Sequence, residues 1–309
     1  MRRILSLLLA GLLVLSLAAC GGAAEPEDAS PLRIGALKGP TGMGLVGLMD
    51  EDGYAFTLAG SADELVPLLV RGELDMACVP ANLASVLYNN TDGAVQVLAV
   101  NTLGVLYIVA HGSAVQTVED LNGKTVYAAG KGATPEYTLS YILSEYGVSA
   151  NVEWKTEHAE CVAAFSQDEN AVALLPQPFA TAATMQDGDA SVALDLNDLW
   201  GDGLITGCVA VRREVASARP EALDAFLDDY AGSVSFVNGN PAEAAGLTER
   251  YGILSAAVAE AAIPYCHIVC ITGDEMKERL ANYLAVLAGQ NAEAVGGALP
   301  DEDFYRLGS

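Results

Sequence analysis

The chain has 309 residues, room for two ordinary domains, and sets 15 Lys+Arg against 40 Asp+Glu for a formal charge of −25. Such an excess repels nucleic acid and anionic lipid over most of the surface, which excludes DNA and RNA as partners. Hydrophobic residues reach 52% and charged residues 18%, so a sizeable core can form and a disordered class is excluded.

The amino terminus opens with Arg2 and Arg3, followed by an uncharged apolar run over 4–19. That run falls short of the ~20 residues of a bilayer span and suits a secretory signal. Its end, Leu17-Ala18-Ala19-Cys20, places small residues before a cysteine. The junction resembles the lipobox of bacterial lipoproteins, which implies a signal peptide over 1–19 and lipid attachment at Cys20. Residues 20–31 are small, polar and proline-containing, and read as an acylated tether.

From there strand, turn and helix alternate. Strands are expected over 32–37, 54–58, 74–79 and 95–100, with helices at 45–49, 62–71 and after Pro80. A second unit restarts near Leu121, with strands over 124–128, 151–155, 171–175 and 191–194 and helices after the glycine loop at 130–134 and over 158–165. The chain then enters an apolar strand around 204–211 and ends in helices over 220–236, 242–249 and 274–287, which are expected to pack back on the first unit. Such βα alternation predicts an α/β protein of two lobes, each a mostly parallel sheet flanked by helices, with a cleft between them. The crossings at 101–110 and 204–211 divide it into a discontinuous lobe, 32–103 with 209–309, and a continuous one, 104–208.

Ligands of open α/β sheets sit beyond the carboxyl ends of the strands. That rule selects the loops at 39–44, 59–61, 80–82, 130–134 and 176–179. Thr41, Gly42 and Met43 place backbone N–H groups at one helix start, and Gly132, Ala133 and Thr134 do so opposite; such starts hold anionic or carbonyl oxygens. Ser61, Pro80 with Asn82, and Asn101 at the outgoing crossing join the candidate binding set. Lys131 either meets a carboxylate, sulfonate or phosphate or faces solvent, and His158 either reaches a solute or caps its helix. Pro176, Gln177 and Phe179 offer a rigid rim, an amide and an aromatic face. Tyr88, Tyr107 and Tyr137 fit the cleft or the core equally.

Cys78, Cys161, Cys208, Cys266 and Cys270 sit in apolar surroundings and read as buried thiols. No fourth ligand stands near Cys266, His267 and Cys270, so no metal is expected. The GxSxG, HExxH and complete phosphate-loop motifs are absent from the sequence, and neither a cofactor nor catalysis is expected.

Four segments carry a resemblance: LRIGALKGPTGMG, SADELVPLLVRGELDMACVPANLASVLY, VEDLNGKTVYAAGKGATPEY and ALLPQPFATAA. Over residues 32–290 the chain resembles type 2 periplasmic solute-binding proteins of ABC importers, in the group serving nitrate, sulfonates, taurine and thiamine-pyrimidine precursors. The resemblance implies the type 2 two-lobed fold and capture of a small polar or heteroaromatic organic solute by lobe closure. It also implies permease transmembrane subunits as partners, and a lipid-anchored monomer on the extracytoplasmic face of the membrane. Enzymes that make a thiamine pyrimidine or dehydrate chorismate share the broader fold and are the alternative; their cytoplasmic location conflicts with the signal at residues 1–20.

Overall fold

Met76 to Val79 is apolar at every position, the pattern of a strand covered on both faces. In the computed structural model, which describes residues 30–307 apart from 202, this run is β3 (Met76–Pro80). It pairs on one side with β1 (Leu32–Leu37), which in turn pairs with β2 (Tyr54–Ala59). Helices α1 (Pro40–Met43), α2 (Ala62–Val70) and α3 (Ala81–Asn90) follow these strands, and β4 (Val95–Leu103) completes the first pass. The expected signal peptide, Cys20 and residues 21–29 of the tether lie outside the described residues.

The second sheet is built from β5 (Leu106–His111), β6 (Thr125–Ala129), β7 (Asn151–Lys155), β8 (Val172–Pro176) and β9 (Ala190–Asp195). Helices α4 (Thr134–Glu145), α5 (His158–Phe165), α6 (Phe179–Gln186) and α7 (Leu196–Leu199) connect them. The chain then returns to the first sheet through β10 (Ile205–Arg212) and β11 (Ile268–Ile271). Strand orders are β11-β4-β10-β3-β1-β2 and β7-β6-β8-β5-β9.

Both sheets are mixed where the βα alternation predicts mostly parallel ones. β1 is parallel to β2 and β3, and β6 to β7 and β8, as expected of βα units. β10 runs antiparallel to β3 and β4, and β5 antiparallel to β8 and β9. β5 and β10 stand beside the crossings between lobes, and β11, which is also antiparallel to β4, comes from the carboxyl-terminal part of the chain; their direction follows from where the chain enters each sheet, which local periodicity does not encode.

The helix expected over 45–49 is instead α1 followed by a single 3-10 turn, Val46–Leu48. Gly42, Gly44 and Gly47 interrupt this segment, and a Cβ at Gly42 would lie 2.5 Å from the Leu37 carbonyl oxygen. Downstream, α8 (Arg213–Ala218), α9 (Pro220–Gly239), α10 (Pro241–Arg250), α11 (Ala256–Ala262) and α12 (Gly273–Gln290) add two helices to the three expected. Pro241 at the first position of α10, which lacks an N–H, sets the break after α9.

The core explains this packing. Leu32, Ile34, Met76, Val209 and Val211 meet Phe226 and Tyr230 of α9 on one face of the first sheet. Leu65 and Leu69 of α2, with Leu280 and Leu284 of α12, cover the other, and this cluster continues into Ile108, Val126 and Leu174 of the second lobe. Asp75, 5% exposed, accepts from the Arg33 backbone N–H at 2.9 Å and from its Nε at 3.1 Å, locking β1 to the approach of β3. Burial works to raise the Asp75 carboxyl, and the hydrogen bonds and charge of Arg33 outweigh it, holding it below the ordinary carboxylate value.

Candidate functional site

The chain crosses between sheets twice, and one amide joins the crossings. Asn197 Oδ1, at the start of α7, accepts from the Gly104 N–H at 3.2 Å and the Leu204 N–H at 3.1 Å. His267, from the first lobe, turns Nδ1 toward the Gly104 carbonyl at 2.5 Å, so that nitrogen carries the proton. Tyr107 on β5 donates to the Tyr265 carbonyl at 2.6 Å, and Asn291 Nδ2 donates to the Tyr137 hydroxyl at 2.9 Å. The lobes are thus in direct contact.

Between them lies a cavity of about 350 Å³, within the ~300–1,000 Å³ range of small-molecule sites. Pro80, Asn82, Leu83 and Thr206 line it from the first sheet and its helices. Ala133, Thr134, Pro135, His158 and Pro176 line it from the second, and Val105 and Leu106 from the outgoing crossing. Alternation of strand and helix brings these residues together: β3 ends in Pro80 and passes directly into α3, Ala133 is the N-cap of α4, and His158 is the first residue of α5. Thr134 Oγ1 donates across the cleft to Asn82 Oδ1 at 3.5 Å, while Asn82 Nδ2 donates to the Ala294 carbonyl at 3.1 Å and is thereby oriented. His158 packs against Phe179 with ring centroids 5.2 Å apart. Burial lowers the His158 pKa and favours the neutral imidazole.

Of the residues expected from the sequence, Pro80, Asn82, Ala133, Thr134 and His158 line this cavity, and Phe179 touches it through His158. The others lie elsewhere. Thr41, Gly42 and Met43 are buried against the first sheet. Ser61 caps α2, where its N–H and that of Gly60 donate to Glu64 Oε1 at 3.0 Å. Asn101 is buried in β4 beside Cys78, whose thiol is pushed up to about 12 by burial against the opposing Asn101 hydrogen bond. Lys131 and Gly132 are exposed, with the Gly132 N–H donating to Glu136 Oε2 at 2.6 Å. Gln177 is buried, its Oε1 accepting from Thr181 Oγ1 at 2.8 Å. Pro176, the rim of the loop expected at 176–179, also lines the cavity, whereas Leu83, Val105, Leu106, Pro135 and Thr206 are not among the residues the sequence singles out. Pro135 adjoins the selected loop at 130–134; Val105, Leu106 and Thr206 sit on crossings that read only as strands.

A second concavity of about 400 Å³ lies at the other end of the first sheet, lined by Leu69, Thr91, Val95, Arg212 and Arg213 among others. It is bounded by the first lobe alone, whereas the interlobe cavity lies at the carboxyl ends of β3 and β8, where α/β sheets place ligands.

Two mixed sheets joined by paired crossings around a cleft define the periplasmic binding protein fold. An ABC transporter protein from Parabacteroides distasonis is similar in structure, with TM-score 0.79 and 22% identity over 90% of this chain and 99% of that one. The periplasmic aliphatic sulphonate binding protein SsuA from Escherichia coli follows with TM-score 0.71 and 18% identity, covering 90% and 93%. The alkanesulfonate-binding protein SsuA from Xanthomonas axonopodis pv. citri, bound to MOPS, gives 0.64 and 19%, covering 90% and 96%. The family model for the periplasmic substrate-binding protein of phosphonate ABC transporters matches residues 53–262. The chain belongs to that family, whose role implies a small-molecule solute and permease partners. No curated protein matches in sequence. Among the described residues no helix is long and apolar enough to cross a membrane.

Proposed function

We propose that this chain is the extracytoplasmic solute receptor of an ABC importer: it captures a small polar or heteroaromatic organic solute between its lobes and delivers it to a membrane permease. One observation carries the reading, namely a small-molecule-sized cavity whose walls come from both lobes, with helix starts from each side at its edge. The crossings at 101–110 and 204–211 serve as the hinge, dividing 32–103 with 209–309 from 104–208. Paired crossings let rigid lobes rotate while each sheet stays intact. Within this reading Cys20 carries a lipid anchor, residues 20–31 tether the body to the membrane, and the receptor works as a monomer without catalysis. Family membership supports binding over the enzymatic alternative.

Small-angle scattering of the protein before and after saturation with the solute it retains on purification tests this directly. Compaction is expected. Unchanged dimensions at saturation overturn closure about the crossings.

A further inference from the structure

We propose that His267 and Asp195 form a proton-held latch across the hinge: while the pair shares one proton it favours the arrangement in which Thr134 reaches Asn82 across the cleft, and loss of that proton as pH rises lets the lobes open. The inference rests on the hinge reading above and adds to it a control that never touches the solute.

A ring of polar contacts closes on one peptide group. The Gly104 carbonyl accepts from His267 Nδ1 at 2.5 Å. On the far side of the same imidazole, Nε2 lies 3.6 Å from Asp195 Oδ2. Asp195 turns its other oxygen to the Asn197 N–H at 2.8 Å, and Asn197 Oδ1 returns to the Gly104 N–H at 3.2 Å. His267 belongs to the first lobe, Asp195 and Asn197 to the second, and Gly104 to the outgoing crossing, so the ring spans the pivot. Gly104 is fitted to its place: a Cβ there would lie 2.7 Å from the Asn197 Cβ and 2.9 Å from the Leu204 Cβ.

Hydrogen-bond chemistry then sets how many protons the pair needs. A carbonyl only accepts, so Nδ1 carries a hydrogen. In a neutral imidazole Nε2 is then a bare acceptor, and it faces a carboxylate, which also only accepts. Such a pair repels unless it holds one further proton, as imidazolium beside carboxylate or imidazole beside carboxylic acid. Burial is the largest influence on Asp195 and raises its carboxyl against the opposing charge of His267, which favours keeping that proton within the pair. The other titratable groups around the pair are Asp198 on α7, Tyr107 on β5, and Tyr265 and Cys266 beside His267 in the chain. None of them is a cation, and Arg279, beside Gly203, is paired with Glu275 at 2.9 Å. The backbone agrees with a switch. His267 holds φ at +43°, and among the described residues Asp92 is the one other non-glycine residue at positive φ. Histidine is among the few side chains enriched in this region, and strained positions of this kind cluster at switches.

The test uses the full-length protein emptied of solute, so that contacts at His158 do not enter. Small-angle scattering reads its radius of gyration at about pH 5 and about pH 8, the limits between which histidines ordinarily change charge. NMR of the labelled imidazole nitrogens reads the tautomer of His267, assigned by its loss in His267→Asn. Asp195→Asn keeps the oxygen that caps α7 and offers an N–H to the bare Nε2, so its clasp needs no proton. The unaltered protein is expected to shift its open-to-closed ratio about three- to tenfold between the two conditions, with the smaller mean radius at the lower pH. Asp195→Asn, which shares any change in overall surface charge, should show no such shift, and neutral His267 should carry its hydrogen on Nδ1. A radius that changes with pH no more than that of Asp195→Asn, or a neutral His267 with its hydrogen on Nε2, overturns the latch and leaves solute capture standing. Absence of compaction at about pH 8, on saturation with the compound retained on purification, overturns the hinge and the inference with it.

Discussion

Replacing Asn197 by Ala tests the clasp between the two crossings. The side-chain oxygen accepts from two backbone N–H groups, those of Gly104 and Leu204, one on each crossing. Truncation leaves both donors without their acceptor. A buried donor left unpaired costs about 1–3 kcal/mol, and because Asn197 is half-buried, water recovers part of the loss. The expected destabilisation is about 2–4 kcal/mol, which for a chain of this size lowers the melting temperature by about 4–8 °C. Scanning calorimetry measures the shift, and urea unfolding checks that the midpoint moves without a change in slope. A loss under about 0.5 kcal/mol, the range of an ordinary surface substitution, would refute the reasoning and show that water satisfies both crossings equally well.

The depressed Asp75 carboxyl contributes stability that is fully present above the unfolded value of about 3.9 and is lost as pH falls through the folded value. Acid unfolding of Asp75→Asn, followed by circular dichroism, should therefore be less steep below pH about 4 than that of the unaltered protein. Lys131→Ala should leave affinity for the retained solute within about twofold, as for an exposed charge, while His158→Ala weakens it about three- to tenfold by removing a lining hydrogen-bonding group; equal effects in calorimetry would contradict the placement of both residues. Intact-mass measurement of membrane-extracted protein should show loss of residues 1–19 and an added lipid mass at Cys20, and an unlipidated form starting elsewhere would exclude the anchor.

The helix starts at 80–82 and 133–134 are legible in the sequence because glycine and proline punctuate the ends of apolar strands, which marks a turn whatever the tertiary context. His158 is legible for a different reason, standing at the start of the helix that follows the strand at 151–155. The turn at 39–44 carries the same kind of signal, yet Thr41, Gly42 and Met43 end in the core. Glycine content marks a turn without saying which way its helix points. Ser61 shows two uses of one pattern: SADE reads as a loop at a strand end and also as a capping box, and the box is what its side chain forms. Thr206 could not be found this way, since in LITGCVAV it is one more strand residue and its exposure to the cavity depends on the register shift between Ile205 and Gly207 where β10 meets β4.

The position of β10 bears on how the molecule assembles. It lies between β3 and β4, although the entire second lobe separates it from them in sequence. The strands of the second sheet come from one uninterrupted stretch and can pair as that stretch becomes available. The first sheet cannot: until residue 205 and beyond emerge, β3 and β4 each present an open edge with unpaired backbone groups. Closing that gap requires pairs such as Cys78 with Val209, a long-range step that is intrinsically slow. The topology therefore predicts sequential folding, with the second lobe leading and the first completed by the carboxyl-terminal third of the chain. The interval in between is when the open edges are exposed to other chains, and it sets the demand for a chaperone.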